Sequence, residues 1–243
     1  MNQMPVILAT GVGWFFCFFR RKRYHITRFG MYFLLFIFTL TGALGSNMGS
    51  MISGGALAGR RLYGLMIADT VALVVGCRIL KKDLGKIGDY ISVPILSSCC
   101  GGKLNCLLDG CCYGFVMYMD TAGEAVRFPS QIFELVLWSL LSLWLIILEM
   151  KEHANNTLWA LAMIWFGLSR YMVDFLRGSP SEKAIFVIGM PGGQFWSLVL
   201  FLMGLAYLLY SLKRIYGRVP TVPEFIAAML GLQPNHKLTK MVQ

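Results

Sequence analysis

The chain has 243 residues, of which 57% are hydrophobic and only 14% charged, with a mean hydropathy of +0.64. That is too apolar for a soluble domain of this length. The net charge of +10 does not indicate a nucleic-acid partner, because the basic residues fall in short breaks between apolar runs and form no aromatic-interleaved basic domain.

A helix crosses a bilayer with about 20 apolar residues. Runs near that length place seven predicted spans at residues 4–19, 29–47, 57–80, 91–108, 130–149, 157–177 and 185–212, the fourth interrupted by Gly101, Gly102 and Lys103. The expected fold class is therefore an all-α polytopic membrane protein, with a transmembrane domain over 1–212 and a tail over 213–243. The first run is not read as a cleaved leader. Its basic cluster, Arg20, Arg21, Lys22 and Arg23, follows the apolar stretch, and no small-residue cleavage site is evident. The basic residues from Arg20 to Arg28, then Lys81, Lys82, Lys86, Lys151, Lys213, Arg214, Arg218, Lys237 and Lys240, all fall on one side of the predicted spans. The positive-inside rule makes that side the cytoplasm, with the N-terminus outside and the C-terminus inside.

With this topology the unusual polar segments gather at the outer side. The first runs from Ser53, Gly54 and Gly55 to Arg60 and Arg61, ahead of a third span that carries Asp69. The second, Gly102 to Gly114, mixes three glycines with Lys103, Asn105 and Asp109. Irregular backbone at membrane depth is tolerated where it lines protein or a watery cavity, so a cavity wall is expected here. Cys99, Cys100, Cys106, Cys111 and Cys112 crowd into the same region. They read as small packing residues or as a disulfide facing the oxidising exterior. No zinc framework is expected, since adjacent cysteines lack the usual spacing and no histidine is near.

Arg127 to Glu134 opens the fifth span, with Pro129 tolerated in the first turn. Gln131 and Glu134, three apart, share a face that points into the bundle if the carboxylate is to avoid lipid. In the sixth span Arg170, Asp174 and Arg177 fall on one helical stripe, cation, anion, cation. Two readings stand: a structural salt bridge, or Asp174 holding one guanidinium while the other grips a phosphate with its planar donor fork. Gly192, Gly193 and Gln194 open the last span. In the tail, Glu224 to Leu232 is either a short surface helix or partly ordered chain.

These stretches resemble the bacterial phosphatidylglycerol-prolipoprotein diacylglyceryl transferases. Gly102 to Gly114 fits the thirteen-residue frame of that family's signature. Arg127 to Glu134 is similar to its Arg-His-Pro-Ser-Gln-Leu-Tyr-Glu stretch, Arg170 to Arg177 to its Arg-x-x-x-Glu-Phe-x-Arg stretch, and Gly193, Gln194 and Ser197 to its Gly-Gln-x-x-Ser stretch. The resemblance covers roughly residues 50–200. There are departures. Lys103 stands where the family has arginine, Cys106 and Asp109 where it has asparagines, Cys111 where it has an acid, and Phe128 where it has histidine. The family's His-Gly-Gly ahead of the third span has Leu62-Tyr63-Gly64 as its nearest equivalent, and no histidine lies on the outer side.

The resemblance implies transfer of a diacylglyceryl group from phosphatidylglycerol to the lipobox cysteine thiol of a prolipoprotein, at the bacterial cytoplasmic membrane, without cofactor, metal or nucleic acid. An anionic leaving group calls for positioned cations. Arg170 is the first candidate, with Lys103 and Arg127 or Arg177. Glu134, Asp109 and Asp174 are the candidates to take the thiol proton. The catalytic set is thus Arg170, Lys103 and Glu134; the substrate-binding set is Asp109, Arg127, Gln131, Asp174, Arg177 and Gln194. Two alternatives remain: a related transferase with another acceptor, and a non-catalytic lipid-binding protein or transporter.

Overall fold

A computed structural model describes residues 4–52, 58–151, 156–177, 186–187 and 189–232. Among them are eight helices: α1 (Met4–Arg20), α2 (Arg28–Ile52), α3 (Ala58–Leu80), α4 (Leu84–Leu108), α5 (Ser130–Met150), α6 (Leu158–Leu176), α7 (Gly192–Tyr216) and α8 (Val222–Met229). Two antiparallel hairpins, β1 (Val116–Met119) with β2 (Ala125–Arg127) and β3 (Phe186–Val187) with β4 (Met190–Pro191), add strands to a chain expected to be all-α. The mostly helical architecture includes three helices, α4, α5 and α7, that are long and apolar enough to cross a membrane, and shorter apolar helices at Met4–Arg20 and Arg28–Gly42. Phe15, Phe19, Phe36, Leu140, Leu143 and Leu202 are exposed on these helices, a surface suited to lipid rather than water.

The predicted fourth span is too short and its interruption does not occur. α4 begins at Leu84 and continues unbroken through Gly101, Gly102 and Lys103 to Leu108. Its early polar residue Asp89 is buried because its carboxylate accepts the backbone N–H groups of Asn156 and Trp159 at 2.5 and 2.9 Å, satisfying donors at the start of α6 that no intrahelical acceptor reaches. The glycines serve packing. A Cβ at Gly101 would lie 2.7 Å from the Pro5 carbonyl, and one at Gly13 2.7 Å from Pro94 Cα, so small residues let α1 and α4 approach closely. The last predicted span starts late: the chain ahead of Gly192 forms the β3–β4 hairpin instead of helix.

Two buried clusters result. One joins α1 to α4 through Trp14, Leu34, Leu73 and Tyr90; the other joins α4 to α8 through Leu96, Leu145, Leu161, Leu208 and Ala228. At the C-terminal end of α5, buried Glu149 pairs with Arg20 (3.1 Å) and accepts the Tyr24 hydroxyl (2.5 Å), which fastens the α1–α2 connection. The tail helix expected near 224–232 forms as α8. Thr221 and Glu224 make a capping box at its start, and the Trp165 indole N–H donates to the Met229 carbonyl at 2.9 Å.

Candidate functional site

Glu134 sits on the second turn of α5, and its side chain is completely buried. Three cations from two other helices converge on it. Arg170 Nη1 of α6 donates to Oε1 at 2.9 Å, Arg177 Nη2 donates to Oε2 at 3.0 Å and Oε1 at 3.3 Å, and Lys103 Nζ of α4 pairs with Oε2. Arg170 Nη2 also pairs with Asp174 one turn on, at 3.0 Å. The stripe expected on α6 is thus present, but the division of labour differs: Asp174 and Glu134 share Arg170, and Arg177 belongs to Glu134. Three cations against two carboxylates leave one positive charge in excess. Charge in an apolar bundle is costly unless paired.

Unsatisfied polar atoms accompany this excess. Gln131, one turn before Glu134 and 0% exposed, has neither its amide nitrogen nor its oxygen bonded among the described residues, and Asn105 Oδ1 and Arg177 Nε are likewise without partners. Buried polar atoms are almost always hydrogen-bonded. Their grouping on the elements that carry the charged cluster marks a place for a polar ligand.

Lys103, Glu134, Arg170, Asp174 and Arg177 are brought together, with Gln131 beside them. Asp109 is exposed, and its carboxylate accepts the Asn105 side-chain amide at 3.4 Å. Arg127 is exposed on β2. Gln194 lies in the first turn of α7, half-buried, next to Gly193, where a Cβ would stand 2.9 Å from Asp174 Oδ2. Ser53, Gly54 and Gly55 lie outside the described residues.

Other residues escaped the sequence reading. Trp138, one turn beyond Glu134, places its ring 5.2 Å from Lys103 Nζ and donates its indole N–H to Ser169 Oγ at 3.3 Å. Its i+4 spacing from Glu134 was the available signal. Gly114 closes the frame: its N–H donates to the Phe128 carbonyl at 2.7 Å, Phe115 N–H to the Leu176 carbonyl at 3.1 Å, and Ser130 Oγ to the Cys112 carbonyl at 2.7 Å. The start of α5 and the end of α6 are thereby held in register. Phe128 stacks on Phe115 with ring centroids 5.6 Å apart.

Three cysteines around the end of α4 also converge. The sulfurs of Cys106, Cys111 and Cys112 all lie within 4.8 Å of one another, and the three are free, partly exposed thiols. The Cys112 thiol is held below its usual range by a hydrogen bond with Cys106, against the opposing effect of burial, and by the charges of Lys103 and Arg177. Away from the charges, a cavity of about 340 Å³ lined by Leu137, Leu141, Trp144, Trp165, Ser169 and Leu230 opens between α5 and α6. It starts at Leu137, one turn along α5 from Glu134.

A family model described as prolipoprotein diacylglyceryl transferase matches residues 4–210. A Clostridium tetani phosphatidylglycerol–prolipoprotein diacylglyceryl transferase is 28% identical over 155 residues, which cover 59% of this chain and 61% of the relative. One of the same description from Idiomarina loihiensis is 22% identical over 65% of this chain and 62% of the relative; one from Helicobacter pylori is 24% identical over 87% and 74%. The matched part of the chain thus spans about three-fifths of the length of the first two relatives.

Proposed function

The chain belongs to the prolipoprotein diacylglyceryl transferase family, and on that premise we propose that it transfers the diacylglyceryl group of phosphatidylglycerol to the thiol of a lipobox cysteine, forming a thioether and releasing glycerol phosphate. The observation that carries this reading is the single uncompensated positive charge of the Lys103, Arg170, Arg177, Glu134 and Asp174 cluster. A phosphodiester bears one negative charge, so its arrival neutralises the site. As the carbon–oxygen bond breaks, charge builds on the phosphate oxygens, and cations already in place stabilise it without reorganising.

Arg170 is fixed on two sides by Glu134 and Asp174, so its position does not depend on substrate. Glu134 is occupied in holding three cations and acts here as their common positioning group rather than as the base. The unpaired atoms of Gln131 and Asn105 suit the glycerol hydroxyls of the headgroup. The apolar cavity beside Ser169 suits an acyl chain. The bundle we propose has seven spans, with this site toward the outer leaflet and α8 at the cytoplasmic side.

The test is transfer of labelled diacylglycerol from phosphatidylglycerol to a lipobox peptide by the purified protein in detergent, beside the same peptide with serine for cysteine. Lipidation of the cysteine peptide alone supports the reading. Its absence, with phosphatidylglycerol still bound, favours a second one: a transferase for another acceptor. The Phe128–Phe115 stack, which fills the position of the family's histidine with an apolar surface, is what speaks for that alternative.

A further inference from the structure

The transferase chemistry needs a thiolate, and a free thiol is only a few per cent ionised at neutral pH. The positive-inside reading of the sequence assigns the chain's three histidines, His25, His153 and His236, to the side opposite the outer segments. Both carboxylates of the cluster are engaged with arginine. The means of activating the acceptor must come from elsewhere.

Cys106 ends one side of the problem. It lies on the last turn of α4, and the chain then reverses through Gly110 (φ 61°) so that Cys111 N–H donates to the Cys106 carbonyl at 3.0 Å. Cys112 itself adopts φ 63°, a left-handed conformation that a non-glycine residue holds only at a cost. Neighbouring residues in extended chain point apart; this curl turns Cys111 and Cys112 toward the same sulfur. That is why a sequence spacing unlike a zinc motif still brings three sulfurs within 4.8 Å. Sulfurs bound to one tetrahedral zinc at about 2.3 Å are separated by roughly 3.8 Å, so small side-chain rotations close the site. Among the described residues the group stops at three ligands, which leaves the fourth position open, as in zinc sites that do chemistry. The Cys112 carbonyl accepts the Ser130 hydroxyl at 2.7 Å, which sets these sulfurs at the start of α5, one turn ahead of Glu134.

We propose that Cys106, Cys111 and Cys112 bind a zinc ion whose open position takes the acceptor cysteine of the peptide, beside the cationic cluster. The ion's binding releases the three thiol protons to water. The acceptor thiol then displaces a bound water and loses its own proton to solvent, because a coordinated thiol is deprotonated outright. Its sulfur attacks the glycerol carbon; the sulfur–carbon bond forms, the carbon–oxygen bond breaks, and the electron pair leaves on the phosphate held by the cluster. The neutral thioether is a weaker ligand than the thiolate and departs. The acceptor role rests on the transferase reading, whereas the metal site itself does not.

The experiment uses the full chain, reduced and stripped of metal in detergent, and titrates it with Co²⁺ as a spectroscopic substitute for zinc, with zinc content measured in parallel. The expected result is one equivalent bound with thiolate-to-cobalt charge transfer, and an affinity more than about 100-fold weaker in C106S, C111S or C112S, a larger loss than removal of an outer partner causes. A lipobox peptide should perturb the cobalt bands, and its cysteine-to-serine counterpart should not. Absence of stoichiometric metal with three titratable thiols, or a Cys–Cys disulfide found by mass in the isolated protein that excludes the metal, overturns the site. Binding without a thiol-dependent spectral change overturns the acceptor role. None of these readouts requires turnover, so a failure of the transferase reading is seen separately in the lipidation assay.

Discussion

Arg177 Nη2 donates to both carboxylate oxygens of Glu134, at 3.0 and 3.3 Å, across 43 residues of sequence. That contact ties the end of α6 to the start of α5, while Arg170 ties the same carboxylate two turns deeper along α6. Removing the carboxylate leaves Lys103, Arg170 and Arg177 facing one another with Asp174 alone to offset them. Breaking a buried ion pair from one side costs about 3–5 kcal/mol. Glu134→Gln is therefore expected to unfold readily in detergent, and Lys103→Met in the same chain should recover part of the loss by removing a stranded cation. Thermal unfolding of the single and double variants checks this; equal stability of Glu134→Gln and the wild type would exclude the arrangement described.

Arg170→Lys keeps the charge but cannot bridge Glu134 and Asp174 with two planar donors. If Arg170 meets the phosphate, transfer should fall by about 100- to 1000-fold, the effect of losing one preorganised charge-stabilising donor. Stability should change far less than in Glu134→Gln. The measurement is the initial rate of peptide lipidation, normalised to folded protein. A rate within a few-fold of wild type would assign phosphate binding to Lys103 or Arg177 instead.

How far the sequence revealed this site depends on what each residue's signal encodes. The α6 stripe was legible because Arg170, Asp174 and Arg177 obey helical spacing. The burial of Glu134 followed from the cost of a carboxylate in lipid. Their meeting across α4, α5 and α6 was not legible, since periodicity gives the face of a helix and not its neighbour. The glycines of α4 misled for the same reason: Gly101 and Gly102 read as a break, whereas Gly101 is needed for the close approach of α1, a fact visible only once the partner helix is in place. Asp89 hid the start of α4 because its charge is absorbed by backbone donors of α6. The convergence of Cys106, Cys111 and Cys112 was not legible either, because sequence spacing does not reveal the left-handed turn at Cys112.

Gln131 supplies a contrast between stability and binding. Its buried amide has no partner among the described residues, and such a group costs about 1–3 kcal/mol. Gln131→Leu should leave the substrate-free protein as stable as wild type or more so. The same variant should raise KM for phosphatidylglycerol, because the leucine cannot bond the headgroup. Thermal stability without lipid, paired with KM from the lipidation assay, separates the two effects. A destabilised variant with unchanged KM would show that Gln131 serves the fold alone.

Gly114 is expected to tolerate no side chain. A Cβ there would lie 2.5 Å from the Leu176 carbonyl and 2.9 Å from Phe128 Cβ, and two of those neighbouring groups are backbone or close to it. Gly114→Ala should cost about 1–3 kcal/mol through overpacking, and it should loosen Arg177, whose backbone pairs with Gly114. Lower thermal stability together with a reduced lipidation rate is the expected outcome. Wild-type values in both would mean that the α5–α6 junction adapts without disturbing the clamp.

Beyond the last long helix, α8 leads the chain to the cavity between α5 and α6. Leu230 lines that cavity, Ala228 is buried, and the backbone at Gly231 lies against Trp144 and Leu148. Truncation after Gly217 removes this wall and leaves the Trp165 indole N–H without the Met229 carbonyl, a loss of about 1 kcal/mol for the hydrogen bond alone. The charged cluster, one turn and more above the cavity, keeps all its ion pairs. If the cavity holds an acyl chain, the truncated protein should show a higher KM for phosphatidylglycerol and an unchanged kcat, since the lost contacts bind ground and transition states alike. A fall in kcat at constant KM would instead place the tail's influence on the cluster, and the cavity would lose its assignment to the lipid.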